Sequence, residues 1–267
     1  MAHAQDVPFF TETIYDTDDR LNISQLPNPS LALPVAVAIS HRYARLNPFI
    51  TPPTLESRYR MCKGEAFAQE ASLGDCTGVH VGGGIILTAQ HCVKNKYDCE
   101  KLSWAFDFTD TLQHFPTLGF EHLYQCESIL AQDVDLDVVL LKLKTKARLP
   151  KQRIDFGVGG ADQVFAIGSP LGLPLKHSGV GSAVMDSTTH LIAALDVFHG
   201  NSGSPIFNLN EQMIGLLVSG GRDFELDSSG CLKNYVTSAD LPQERIVLLK
   251  ALPENMKKII QRAQRSR

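Results

Sequence analysis

Short runs of β-forming residues, each closed by turn residues, follow one another along most of this chain. That pattern restricts the fold more than any other feature. No apolar run approaches the roughly 18 residues of a membrane-spanning helix, so no transmembrane segment is expected. There is no internal repeat and no low-complexity tract, and glycine and proline are near average, which sets aside collagen-like and disordered classes. A chain of 267 residues can bury a sizeable core. Its net charge of −4 argues against nucleic acid as a main partner. The tail departs from the β pattern. Met256, Ile259, Ile260 and Ala263 fall at i, i+3, i+4 and i+7, one face of a helix, and Pro253 suits its first turn. Lys257, Lys258, Arg262, Arg265 and Arg267 crowd that helix and its end. The apolar stripe is short for a membrane-surface helix, so the expectation is a docked terminal helix with a solvated basic face.

Gly200-Asn201-Ser202-Gly203-Ser204-Pro205 reads as a nucleophile loop. Glycines on either side of a serine permit a sharp bend, and bare N–H groups can then turn toward one point beside the hydroxyl. A serine hydroxyl is too weak to attack an amide without an adjacent base. Imidazole titrates near neutral pH and can take and return a proton, and Leu87-Thr88-Ala89-Gln90-His91-Cys92 supplies the candidate, His91. Asp133, Asp135 and Asp137 lie between these two motifs. Residues two apart share a strand face, so the pattern alone leaves the choice among the three open. Asp137 opens the apolar run Val138-Val139-Leu140-Leu141, where burial against the histidine is expected. Base, acid and nucleophile thus appear in the order His, Asp, Ser.

At these residues the chain resembles the trypsin/chymotrypsin superfamily of serine endopeptidases. Thr88-Ala89-Gln90-His91-Cys92 is similar to its TAAHC motif, Asp137 to Leu143 to its aspartate strand, and Gly200 to Pro205 to the bacterial GNSGSP form of its serine motif. Ile206-Phe207-Asn208, Met213-Ile214-Gly215 and Asp18-Asp19-Arg20-Leu21-Asn22-Ile23 bring it nearest the bacterial glutamyl-endopeptidase branch, over roughly residues 14 to 240. The resemblance implies an all-β fold of two six-stranded antiparallel β-barrels with a C-terminal helix. It places strands near 31–40, 76–81, 84–90, 101–108, 122–130 and 137–143, then 163–168, 179–186, 189–196, 204–208, 212–219 and 230–237. The implied organisation is an N-terminal extension (1–13), a barrel carrying His and Asp (14–150), a barrel carrying Ser (151–240) and a helical segment (241–267), with the barrels joined near Leu149-Pro150-Lys151. The implied roles are Ser202 as nucleophile, His91 as base, and Asp137 rather than Asp135 as orienting acid. The Gly200 and Ser202 N–H groups form the oxyanion hole, and Gly203 serves the turn. Substrate contacts fall on Asp196, His199, Ser219 and Gly220. The implied activity is peptide-bond hydrolysis on protein or peptide substrates, with no cofactor and no metal.

Six cysteines without a Cys-x-x-Cys pair fit three disulfides and an oxidising compartment, and sequence alone leaves their pairing open. The resemblance implies Cys76 with Cys92, and less directly Cys99 with Cys126 and Cys62 with Cys231. Ala2-His3-Ala4 before Gln5 is similar to the end of an export signal, although no charged and apolar signal region precedes it, and a secreted or periplasmic location is expected. Two departures from the family matter. Asn201 stands where animal trypsin-like enzymes carry the aspartate that receives a new N-terminal ammonium. Leu217 stands near where the glutamyl branch carries a histidine, so glutamate preference does not transfer. Asp196, six residues before Ser202, matches the acid at the base of the trypsin pocket; the alternative is a structural aspartate bonded to backbone. Rival functions are a catalytically silent binding module on the same fold and a serine esterase. The Ser-Asp-His order of α/β-hydrolases is not the order found here.

Overall fold

The computed structural model describes residues 13–40, 52–111, 122–145 and 148–265. The signal-like Ala2-His3-Ala4, most of the 1–13 extension and Arg267 lie outside the described residues.

Six strands form the first barrel: β1 (Val35–Ser40), β2 (Gly74–His80), β3 (Ile85–Ala89), β4 (Leu102–Phe106), β5 (Leu123–Asp133) and β6 (Val138–Leu143). Their pairing closes in the order β1-β2-β3-β6-β5-β4, antiparallel throughout. Six more form the second: β7 (Gln163–Gly168), β8 (Gly181–Met185), β9 (His190–Ala193), β10 (Pro205–Asn208), β11 (Met213–Ser219) and β12 (Glu244–Leu248). Here the ring runs β7-β8-β9-β12-β11-β10 and closes back on β7. The fold class expected from the resemblance is therefore observed.

Alternation along the strands divides the barrel core into three clusters, and a fourth, smaller one joins Ile14, Leu55, Met61, Leu171, Phe198 and Phe224 outside the strands' shared core. Ala36, Ala38, Ile86, Trp104, Phe106, Val139, Leu141 and Leu143 meet in one cluster, all from the first barrel. Val164, Ala166, Leu191, Ala193, Ile206, Ile214, Leu217, Ile246 and Leu248 meet in another, all from the second. The intervening positions, among them Val35, Val37, Val138, Leu140, Phe165, Ile167, Phe207 and Leu216, meet in a third cluster drawn from both barrels. Strands buried on both faces read as unbroken apolar runs. That is why Val138 to Leu141 shows no polar alternation.

Helix α3 (Glu254–Arg265) docks through Met256, Ile260 and Ala263 into this shared cluster, as its spacing predicts. Among the described residues two short α-helices precede it, α1 (Leu55–Tyr59), capped by Thr54, and α2 (Lys96–Lys101), capped by Asn95. Three disulfides are present: Cys62–Cys231, Cys76–Cys92 and Cys99–Cys126.

One strand expectation needs correction. The segment 230–237 is not the sixth strand of the second barrel. Leu232–Asn234 pairs with Phe224–Leu226 in a separate hairpin, and Val236–Thr237 runs parallel to Ile14–Tyr15. The sixth strand is β12, inside the stretch expected to be helical, where Ile246, Val247 and Leu248 are fully buried. Cys231 is tied to Cys62 in the first half of the chain, which holds the 230–237 segment outside the ring.

Candidate active site

His91 follows β3 in a single turn, Gln90–Cys92, with Cys92 bonded to Cys76 on β2. Asp137 ends the turn before β6 in a left-handed conformation, φ 54°, which aspartate tolerates better than most residues. That backbone bend brings main chain and side chain of Asp137 onto the same neighbour. Its carbonyl accepts from Gln90 N–H at 2.9 Å. One carboxylate oxygen accepts from His91 N–H at 2.8 Å, and the other from His91 Nδ1 at 2.6 Å. A carboxylate only accepts, so Nδ1 carries the proton and Nε2 of the neutral ring is left as the basic nitrogen. Asp133 instead accepts from Leu136 N–H within the turn, and Asp135 is exposed. Of the three aspartates that the sequence pattern left open, Asp137 is the one joined to His91.

Ser202 is buried in the loop between the Asp196 segment and β10, at the seam between the barrels. Gly200 (φ 101°) and Gly203 (φ 86°) make the bend. A Cβ on Gly203 would overlap Thr77 O and Thr88 Oγ1, so this turn presses directly against β2 and β3, the latter leading into His91. Every carbonyl from 199 to 202 is held. Leu171 N–H donates to His199 O at 2.5 Å, Ser204 N–H to Asn201 O at 2.8 Å, and Thr77 N–H to Ser202 O at 2.9 Å. The Thr77 hydroxyl donates to Gly200 O at 2.7 Å. The amide of Asn201 is spent locally: Nδ2 donates to Phe198 O at 3.2 Å and Oδ1 accepts from Ser204 Oγ at 3.3 Å. Asn201 N–H goes to Phe198 O and Gly203 N–H to Leu217 O. The N–H groups of Gly200 and Ser202 have no partner among the described residues. In a planar trans peptide the N–H points opposite its carbonyl, so fixing His199 O and Asn201 O also aims these two donors.

His199, half-buried, has its N–H near both oxygens of the buried Asp223 carboxylate (3.3 and 3.4 Å), and burial lowers its pKa. Ser219, exposed, and Gly220, half-buried, follow at the end of β11, on the segment leading from Leu217. Asp196 is 4% exposed, and both oxygens are committed to the N-terminal segment: one to Tyr15 N–H at 2.8 Å, the other to Asp19 N–H at 2.6 Å. Burial raises its pKa to about 7 against the opposing pull of those two N–H donors. Asp196 thus has the backbone-bonded arrangement rather than that of a free acid on a pocket floor.

Cys76 Sγ, Cys92 Sγ and a ring nitrogen of His91 lie within 4.8 Å of one another, but both sulfurs are in the disulfide and offer no thiolate. The same holds for Cys62, Asp227 and Cys231. Thr77, Leu171 and Asp223 complete the loop's support and escaped sequence reading. Thr77 follows Cys76 directly, yet a threonine inside a strand carries no signal of its own.

No curated protein sequence matches the chain. Among solved structures it is similar to a Glu endopeptidase in complex with MPD, at 16% identity and a TM-score of 0.53 over 95% of this chain and 100% of that one. It is similar also to the serine endoprotease from Yersinia pestis, at 17% identity and a TM-score of 0.52 over 90% of this chain and 65% of that one. At these identities the likeness is one of fold. Residues 76–216, more than half of the chain and the stretch that holds His91, Asp137 and Ser202, match the trypsin-like peptidase domain, and the chain belongs to that family.

Proposed function

We propose that this chain is an exported serine endopeptidase in which Ser202 is the nucleophile, His91 the general base and Asp137 the residue that orients it. His91 Nε2 takes the Ser202 hydroxyl proton as Oγ attacks the scissile carbonyl carbon. The carbonyl π electrons move to oxygen, and the N–H groups of Gly200 and Ser202 receive that oxyanion. Imidazolium then returns the proton to the leaving amine as the C–N bond breaks, leaving an acyl-enzyme. Water repeats the sequence and frees Ser202. Asp137 keeps the proton on Nδ1 and stabilises the imidazolium. One observation carries this reading: the Gly200 and Ser202 N–H groups have no partner among the described residues, while the carbonyls from 199 to 202 and the N–H groups of Asn201 and Gly203 are tied down.

His199, Ser219 and Gly220 flank the substrate in this reading. Glutamate preference is not proposed, since Leu217 is apolar and buried. Cleavage after lysine or arginine draws no support from Asp196, whose oxygens are engaged elsewhere. Three disulfides support export. The barrels join near Leu149-Pro150-Lys151, and no strand lies between Leu143 and Gln163 among the described residues. Because the Asn201 amide is satisfied locally, the loop needs no ammonium inserted beside it. The test is a peptide-library digest with the chain and its Ser202→Ala variant. Peptide cleavage lost in the variant supports the reading; ester hydrolysis without peptide cleavage replaces it with an esterase.

A further inference from the structure

Four consecutive peptide planes, from 199–200 to 202–203, carry the two oxyanion donors, and each is anchored by its carbonyl. Three anchors are backbone N–H groups, from Leu171, Ser204 and Thr77. The fourth is a side chain: the Thr77 hydroxyl, which donates to Gly200 O. We infer that Thr77 is a positioning residue for the oxyanion hole, a clamp from the first barrel onto the nucleophile loop of the second. The inference rests on the reading of Ser202 as nucleophile.

Thr77 is completely buried, and each of its polar groups is used. Its N–H donates to Ser202 O, and its carbonyl accepts from Thr88 Oγ1 at 2.6 Å. Its hydroxyl accepts from Ser169 N–H at 3.0 Å while donating to Gly200 O at 2.7 Å, which uses the single hydroxyl proton once. Ser169 begins the turn whose Leu171 N–H holds His199 O. The one hydroxyl therefore ties the loop to the turn that holds its other end. Gly200 sits at φ 101° with no side chain to limit its rotation, so without the hydroxyl this plane is held only by the Asn201 N–H on Phe198 O. Without the hydroxyl, Gly200 O and Ser169 N–H would be left unpaired in a dry site, a cost that rotation of the Gly200 plane relieves. That rotation strains the Gly200 Cα junction with the preceding plane, which Leu171 N–H holds, and tilts its Gly200 N–H away from the developing oxyanion. Asn201 beside Gly200 is neutral and bonded within the loop, so the Thr77 hydroxyl is the anchor of this plane that comes from outside the loop.

The test compares Thr77→Val, which keeps shape and removes the hydroxyl, with Thr77→Ser, which keeps the hydroxyl. Both are assayed on the fluorogenic peptide selected by the library digest, alongside the rate of fluorophosphonate labelling. Thr77→Val is expected to lose about 100-fold in kcat with KM changed less than about threefold, and to label more slowly by a similar factor, on the scale of losing one oxyanion donor. Thr77→Ser is expected to stay within about fivefold of the parent. If Thr77→Val does not fold, Thr77→Ala adds no bulk and carries the same expectation. A folded hydroxyl-free variant that keeps kcat within threefold overturns the inference, as does an equal loss in Thr77→Ser or a change confined to KM. Absence of label at Ser202 in the parent removes the nucleophile reading itself; a labelled parent with an unaffected variant removes only the clamp.

Discussion

Asp137 in the first barrel and Asp196 in the second each accept two hydrogen bonds, one on each carboxylate oxygen. Their surroundings differ. The Asp137 side chain is 28% exposed, and one of its partners is the half-open imidazole of His91, itself 39% exposed. Asp196 is almost completely buried, and both partners are backbone N–H groups of the N-terminal segment. A base that trades protons with substrate and leaving group has to stay accessible, and its acid with it. An acid that only fastens a strap is sealed in, even though burial penalises its charge. The same contrast separates the half-open His91 from Ser202, which is held at 6% exposure in a loop whose carbonyls from 199 to 202 are all occupied. In the proposed mechanism, proton transfer falls to the more exposed histidine and charge stabilisation to the buried, fixed loop.

The comparison breaks most visibly at the proposed triad. Ser202→Ala and His91→Ala are each expected to lower kcat by roughly five to six orders of magnitude while the protein melts as before. Asp137→Asn favours the wrong imidazole tautomer and is expected to cost about 10⁴ in kcat. Asp196→Asn is expected to leave kcat within about tenfold and the cleavage preference unchanged. Parallel kinetics and melting curves separate the two aspartates. A dead Asp196→Asn, or one that loses a preference for lysine or arginine, would return Asp196 to the substrate pocket.

Next in size come the disulfides. Cys62–Cys231 spans 169 residues and Cys76–Cys92 spans 16. Chain-entropy arguments assign them about 5 and about 3 kcal/mol respectively. Replacing Cys62 and Cys231 by serine should therefore lower the melting temperature more. Replacing Cys76 and Cys92 should be the change that also lowers kcat, because Cys92 adjoins His91. Equal effects on kcat from both pairs would contradict this division.

The smallest effect expected is one of pH. Asp196, raised to about 7 by burial, favours the native state in its protonated form. Its contribution is complete below the ordinary carboxylate pKa of about 4 and is lost as pH rises through about 7. The parent should lose stability across that range, and Asp196→Asn should not show that loss. Identical slopes in pH-dependent melting would show that the carboxylate is solvated after all.

Much of this was legible in the sequence because the chemistry demands local patterns. His91 and Ser202 stand in motifs whose neighbours are set by a turn or a bend. All six strands expected in the first half and five of the six in the second match observed strands, since buried β-runs exclude polar residues. The β12 strand is hard to see in the sequence because Ile246-Val247-Leu248 adjoins a true helix, whereas 230–237 carries strand-forming residues but is diverted by a disulfide. Asp137 could be chosen over Asp135 by resemblance, but its reason, a left-handed turn that aims two bonds at His91, is a matter of backbone geometry. Asp196 was read two ways, and only its partners, about 180 residues away, distinguish them. Thr77, Leu171 and Asp223 support the nucleophile loop across long sequence separations that no local pattern records.

The central claim is that Ser202, activated by His91 beside two fixed N–H donors, is a nucleophile ready to react without prior processing. Fluorophosphonate labelling of the intact 267-residue chain, followed by peptide mass mapping, tests it directly. The account predicts one modified residue, Ser202, with label lost in His91→Ala and no dependence on trimming residues 1–12. Label on another residue, label retained in His91→Ala, or label that appears only after a defined N-terminus is exposed would contradict it.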